Sequence, residues 1–219
     1  MTMTIAERVA EHHQTSAGQL PGDVAEAFAA EQRGLAAAGR PAPTVGPGDR
    51  MPDGSLLDAA GQPTTLAQAL DSRPGVVVFY RGGWCPYCNI ALRAYQAQLV
   101  PALADNGIPL VAISPQTPDG SLSTQDTKEL TFTVLSDPGN QIAGELGILT
   151  APSYEARVAQ LQLGLDLTKV NADGTTTLPM PAVVIVDEAG VIRWLDVRAD
   201  YTTRTEPREV LQAIARTIG

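Results

Sequence analysis

The chain has 219 residues, a formal net charge of −9 and no block of Lys or Arg. This acidic balance argues against nucleic acid as a partner, and the length is enough to bury a core without disulfide staples. No run reaches the roughly 18 apolar residues of a membrane helix. The opening Met1-Thr2-Met3-Thr4-Ile5-Ala6-Glu7-Arg8 lacks the apolar centre of a signal peptide. The expectation is a cytoplasmic protein without membrane attachment, where a cysteine pair is catalytic or metal-binding rather than structural.

Residues 1–40 are rich in Ala and Glu and favour helix. Asp23 is placed to cap a helix with Val24, Phe28 and Leu35 on its apolar side, and Gly39 to end it. This extension reads as a dimer arm, a lid, or a segment packed on its own domain. His12 and His13 point about 100° apart on a helix and do not form a ligand pair. The Pro- and Gly-rich stretch 40–55 is a linker, so the second unit is expected over 41–219. Leu56-Leu57 with Asp58-Ala59-Ala60-Gly61 suggests a hairpin, and Thr64-Thr65 opens a short helix through Leu70.

Val76 to Tyr80 is a solid apolar run between Pro74-Gly75 and Gly82-Gly83. It predicts a strand buried on both faces, which has no polar alternation to show. Leu92, Tyr95, Leu99 and Leu103 then repeat at helical spacing, and Pro101 is expected to bend that helix. Gly107 to Ser114 and Phe132 to Leu135 are further strands, with a polar helical segment over 119–129 between them. A helix is expected over Gln141 to Leu146, closed by Gly147. Residues 150–178 read as an insertion that lines an entrance or covers a sheet edge. Ala182 to Asp187 and Val191 to Val197 form a hairpin, followed by an amphipathic helix from Glu206 to Ile218. The order predicts an α/β chain, with a mixed sheet flanked by helices behind a helical N-terminal extension.

Both cysteines of the chain lie in Trp84-Cys85-Pro86-Tyr87-Cys88, where the central strand hands over to a helix. Pro86 suits the first helical position, which makes Cys85 the N-cap and Cys88 the third helical residue. Both sulfurs then lie near free amide donors and the positive end of the helix dipole, which lowers a thiol pKa. With no second Cys or His pair at ligand spacing, a zinc site is not expected, and no cofactor is called for. Arg81 is placed to hold an anion or lower a thiol pKa. Met180-Pro181 is a candidate cis peptide beside the thiols.

These segments resemble the thioredoxin superfamily and, within it, the AhpC/TSA peroxiredoxin-like proteins, over roughly residues 45–215. Cys85-Pro86-Tyr87-Cys88 is similar to the glutaredoxin dithiol. In the peroxiredoxin signature, Arg81 falls on the Pro, Cys85 on the Thr and Cys88 on the peroxidatic Cys. Leu135-Ser136-Asp137-Pro138-Gly139-Asn140 resembles a further segment of that family, and Arg193 matches the arginine that supports its peroxidatic thiolate. The resemblance implies a thioredoxin-like fold and a thiol peroxidase acting on hydrogen peroxide or organic hydroperoxides through a Cys85/Cys88 cycle. A thioredoxin-like protein or a low-molecular-weight thiol would reset it, and a homodimer is one possible assembly. Two other readings stay open: a thiol-disulfide oxidoreductase with Cys85 as nucleophile and Cys88 as resolving thiol, and a non-catalytic binding module. Expected exposure favours attack by Cys85, while the signature favours Cys88. Trp84, Arg81, Arg193 and Pro181 are the expected supports of the dithiol.

Overall fold

The structure is a computed structural model that describes residues 3–40, 42–127 and 129–218. Met1, Thr2, Gly219, Pro41 of the linker and Lys128 of the polar segment lie outside the described residues. Helix α1 (Ile5–Ser16) opens on a capping box, in which Thr4 and Glu7 satisfy each other's backbone donors. Helix α2 (Gly22–Ala38) starts after Pro21 without a side-chain cap, so Asp23 lies in its first turn and not at the cap. It ends where expected, on Gly39 with a φ of 71°.

The hairpin β1 (Leu56–Leu57) and β2 (Pro63–Thr64) leads to α3 (Leu66–Leu70), which Thr65 and Gln68 cap reciprocally. The apolar run becomes β3 (Gly75–Phe79), followed by α4 (Pro86–Gln98) and α5 (Val100–Ala104). The bend expected at Pro101 is a break between these two helices, because the ring removes a donor from a continuous ladder. Next come β4 (Leu110–Ser114), α6 (Pro118–Thr127), β5 (Thr133–Ser136) and α7 (Gln141–Glu145). The inserted stretch carries β6 (Leu149–Thr150), α8 (Tyr154–Gln162), α9 (Leu167–Val170) and β7 (Leu178–Pro179). The chain closes with β8 (Ala182–Val186), β9 (Ile192–Val197) and α10 (Pro207–Thr217).

Among the described residues the main sheet has seven strands, ordered β2-β1-β5-β4-β3-β8-β9. Strands β3, β4 and β5 run parallel, whereas β8 is antiparallel to β3 and β9 to β8. Every residue of β3 is buried, as its unbroken apolar sequence requires. Val76, Val78 and Tyr80 face one side, where Leu92 and Tyr95 of α4, Val210 and Ala213 of α10, and Ile5 and Val9 of α1 complete a core. Val77 and Phe79 face the other side, against Leu66 and Leu70 of α3 and Ile142 of α7.

One carboxylate ties the extension to the end of the domain. Glu206, the residue before α10, accepts the Ile5 and Ala6 amides at 2.9 Å each, satisfying donors that the first turn of α1 leaves free. The insertion docks on the loop after β4, where Thr117 N–H donates to Val170 O at 2.9 Å and Ala172 N–H to Pro115 O at 2.8 Å.

Candidate active site

Strand β3 delivers the chain to Tyr80 and Arg81, and two glycines then turn it. Gly82 has a φ of 148°, which L side chains rarely adopt, and a methyl group there would strike the Trp84 indole. A methyl group on Gly83 would strike the Thr124 hydroxyl. Gln116, in the loop after β4, holds this bend. Its Oε1 accepts the Gly83 amide at 2.8 Å, while its Nε2 donates to the Tyr80 hydroxyl and to Thr124 Oγ1 at 3.1 Å each. Asn89 Nδ2 donates to Gly83 O at 2.9 Å from the first turn of α4.

The bend places Cys85 at the N-cap of α4, Pro86 at its first position and Cys88 two residues further on, as the spacing predicts. Both cysteines are free thiols. Exposure does not separate them: Cys85 is 1% and Cys88 0% accessible, so the expectation of a more exposed Cys85 is corrected. The loops around the helix start close over both sulfurs.

Charge separates the two thiols instead. Burial pushes Cys88 up, but a hydrogen bond from Cys85, the Arg204 charge and the Arg81 amide outweigh it and hold Cys88 well below the usual thiol range. Burial pushes Cys85 well up, and its bond to Cys88 and the negative charge there push the same way against Arg81 and Arg204. Of the two thiols, Cys88 is thus the one favoured as a thiolate and Cys85 the one favoured as a neutral thiol.

Arg204 is the cation of this site. It is buried, and its Nη2 donates to Cys88 Sγ at 3.1 Å and lies 3.9 Å from Cys85 Sγ. Its Nη1 donates to the carbonyls of Tyr201 and Thr203, which fix the fork in place. Its loop is anchored on both sides, by Tyr95 Oη donating to Thr205 O and Thr205 Oγ1 donating to Asp196 Oδ2, each at 2.8 Å. Burial works against the Arg204 charge, and Cys88, Cys85 and Tyr95 together more than offset it.

Arg193 does not hold the thiolate. It lies in the first half of β9, whose register sets Ile192 against Val186, and Val186 in turn against Gly75 at the far end of β3 from the thiols. There it pairs with Asp187 at 2.6 Å, with nearly half of its side chain exposed. Pro181 does stand beside the thiols and lines the cavity next to Cys88. No described peptide bond is cis, which corrects the expectation for Met180-Pro181. The Pro181 carbonyl accepts the Arg198 amide at 2.8 Å, so it is committed to the fold. Without a donor of its own, Pro181 fits the position just before a strand.

A layer of rings covers the dithiol. The Arg81 guanidinium lies 3.9 Å from the Tyr201 ring centre and 5.1 Å from that of Trp84. Tyr87, between the two cysteines, packs its ring near Tyr201, and its hydroxyl is 2.9 Å from His13 Nε2 on α1. The extension thus touches the dithiol segment directly. Sequence reasoning missed Arg204, Tyr201 and Gln116. Each is an isolated residue in a polar loop with no motif around it, and only the folding of distant strands brings it to the site. Beneath the rings, a cavity of about 10 Å³ lies between Cys88, Tyr80, Tyr95, Pro181, Arg204 and Thr205, room for about one water-sized molecule.

A sequence profile of the AhpC/TSA family matches residues 47–195, more than half of the chain. The chain belongs to the AhpC/TSA family. Two Mycobacterium tuberculosis proteins provisionally named peroxiredoxins, from two strains, are each 32% identical over 96 residues, which is 44% of this chain. The chain spans 60% of the length of these relatives. Among solved structures, the peroxidoxin BcpB of Mycobacterium tuberculosis superposes with a TM-score of 0.57 at 18% identity, over 78% of this chain and 95% of that one. A peroxiredoxin-like protein of Aquifex aeolicus gives 0.62 at 15%, over 80% and 89%. Reduced Prx3 of Vibrio vulnificus in complex with hydrogen peroxide gives 0.61 at 16%, over 78% and 99%. At these identities the likeness establishes the thioredoxin-like, peroxiredoxin-type fold of this AhpC/TSA chain. Among the described residues no helix is long and apolar enough to cross a membrane.

Proposed function

We propose that this AhpC/TSA chain is a thiol peroxidase in which Cys88 attacks first and Cys85 resolves. The observation that carries this reading is the 3.1 Å contact of Arg204 Nη2 with Cys88 Sγ. The Cys88 thiolate attacks one peroxide oxygen; the S–O bond forms as the O–O bond breaks. The leaving oxygen takes a proton and departs as water or an alcohol, and Cys88 becomes a sulfenic acid. Cys85 sulfur then attacks Cys88 sulfur. The S–S bond forms, the S–O bond breaks, and hydroxide leaves with the Cys85 proton as water. Arg204 supports the thiolate at the start and again whenever Cys88 is a leaving group. An external dithiol protein or a low-molecular-weight thiol returns the disulfide to the dithiol. The family membership and the peroxide-bound Vibrio relative are consistent with peroxide as the oxidant. The oxidoreductase reading needs an acidic Cys85, and the pKa of that thiol is pushed up.

The test is mass spectrometry of reduced protein mixed with one equivalent of hydrogen peroxide. Wild type is expected to lose two hydrogens, and Cys85→Ser to gain one oxygen on Cys88. A wild type no faster than a free thiol overturns the peroxidase reading. An oxygen gained rapidly by Cys88→Ser, with Cys85→Ser unreactive, reverses the two roles.

A further inference from the structure

The site holds two buried arginines beside the two thiols. Arg204 is spent on Cys88, whereas the Arg81 side chain, 5% accessible, has no such partner. Its Nε makes no hydrogen bond, and no carboxylate lies within ion-pair distance of it among the described residues. A buried charge is ordinarily paired. Here only the faces of the guanidinium are used, against Tyr201 and Trp84, and stacking of that kind leaves the in-plane N–H fork free. A second unused donor stands next to it: Trp84 Nε1 is buried and also lacks an acceptor. Trp84 and Gly83 are half-buried, so this side of the site meets solvent.

We propose that Arg81 is a receptor for the carboxylate of a small thiol, and that this thiol resets the Cys85–Cys88 disulfide. The inference rests on the dithiol-disulfide cycle above and names the class of its reductant. Position assigns the carboxylate to the reductant and not to the oxidant. Arg204 Nη2 lies 3.1 Å from Cys88 Sγ, the thiol proposed to meet the oxidant, and 3.9 Å from Cys85 Sγ, whereas Arg81 is stacked on Trp84, the residue next to Cys85. Cys88 is also the better leaving group of the disulfide, because its thiolate is the stabilised one. The incoming thiolate therefore attacks Cys85: a mixed disulfide forms on Cys85, the S–S bond to Cys88 breaks, and Cys88 leaves as the thiolate that Arg204 holds. A second thiolate attacks the small-molecule sulfur of the mixed disulfide. The small disulfide is released, and Cys85 takes up a proton. Two thiols are oxidised to one disulfide for each protein disulfide reduced. A carboxylate on the Arg81 fork would hold the attacking sulfur near Cys85 throughout.

The experiment uses the full chain, oxidised to its disulfide with diamide, so it does not depend on peroxide turnover. Reduction is followed with 3-mercaptopropionate and with 2-mercaptoethanol, each rate divided by its thiolate concentration. Wild type is expected to prefer the carboxylate thiol by about tenfold or more, the ratio a charge-assisted hydrogen bond supplies. Arg81→Gln should bring the ratio close to one. Propionate should slow the reaction of wild type with 3-mercaptopropionate but not with 2-mercaptoethanol, a readout that needs no variant to fold. The proposal is overturned if wild type shows no preference, if Arg81→Gln keeps it, or if propionate slows both thiols alike. Failure of peroxide consumption alone would sink the peroxidase reading and leave these ratios to be read independently.

Discussion

The two ends of strand β3 each have an arginine nearby, and the pair shows what the fold does to one residue type. At the far end, Arg193 meets Asp187 with nearly half of its side chain in solvent. Water competes for both charges there, so the pair adds about 0–1 kcal/mol and no chemistry. At the near end, Arg204 is buried and meets a sulfur. The pKa of its partner is lowered because the cost of burial is outweighed by a neighbouring thiol, the guanidinium and an amide. Similarity of local sequence pointed to the first arginine, while the three-dimensional surroundings select the second.

This contrast can be broken at either end. The largest effect is expected from Cys88→Ser, which should abolish rapid peroxide consumption measured by stopped-flow. Arg204→Gln comes next. Loss of a hydrogen bond to a charged group should lower the peroxide rate by about 10- to 100-fold. It should also move the pH dependence of thiolate formation. Cys88 is an acid whose pKa is depressed in the folded protein. Its thiolate is therefore fully formed at and above the ordinary thiol pKa, and is lost only when pH falls through the depressed value. In a Cys85→Ser background, the inflection of iodoacetamide labelling should lie below that of a free thiol, and Arg204→Gln should raise it. An inflection unmoved by Arg204→Gln would separate the arginine from the thiolate.

Glu206→Ala tests what holds the near end together, since it removes acceptors from the first turns of both α1 and α10. A loss of about 1–2 kcal/mol in urea unfolding is expected, in the range of lost helix caps. The smallest effect belongs to Arg193→Gln: a peroxide rate within about twofold of wild type, and a stability change of about 1 kcal/mol or less. A large loss of rate in this variant would restore Arg193 to the site.

The local parts of this architecture were legible because the residues that define them are neighbours. A short unbroken run of β-branched and aromatic residues between Pro-Gly and Gly-Gly reads as a strand covered on both faces, and β3 is that strand. Pro86 at a first helical position fixed which cysteine caps α4 and which lies inside it, and the two glycines before it marked the bend. The order of strands and helices also sufficed for a mixed sheet. The electrostatic split between Cys85 and Cys88 was not legible, because the helix start alone acts on both thiols in the same sense. What divides them is first their own interaction, which lowers Cys88 and raises Cys85, and then the closer approach of Arg204, 116 residues away, to Cys88 than to Cys85. Burial was hidden for the same reason. The rings of Tyr87 and Tyr201 and the helix α1 come from separate parts of the chain, and only their meeting closes the dithiol off. Gln116 left no pattern either, since its role depends on the parallel pairing of β3 with β4.

The position of β3 also bears on how the chain becomes reactive as it folds. Its pairing with β4 joins segments separated only by α4 and α5, whereas its pairing with β8 joins Phe79 to Ala182. The second pairing closes a long loop, so its entropy cost is met late and only after local structure has formed. During synthesis the dithiol emerges well before the loop that bears Arg204. Until the C-terminal strands dock, Cys88 lacks the Arg204 contact that the folded protein gives it. Completion of the sheet thus supplies that contact, and a chain cut short of it would carry the Cys-Pro-Tyr-Cys segment without Arg204 beside it.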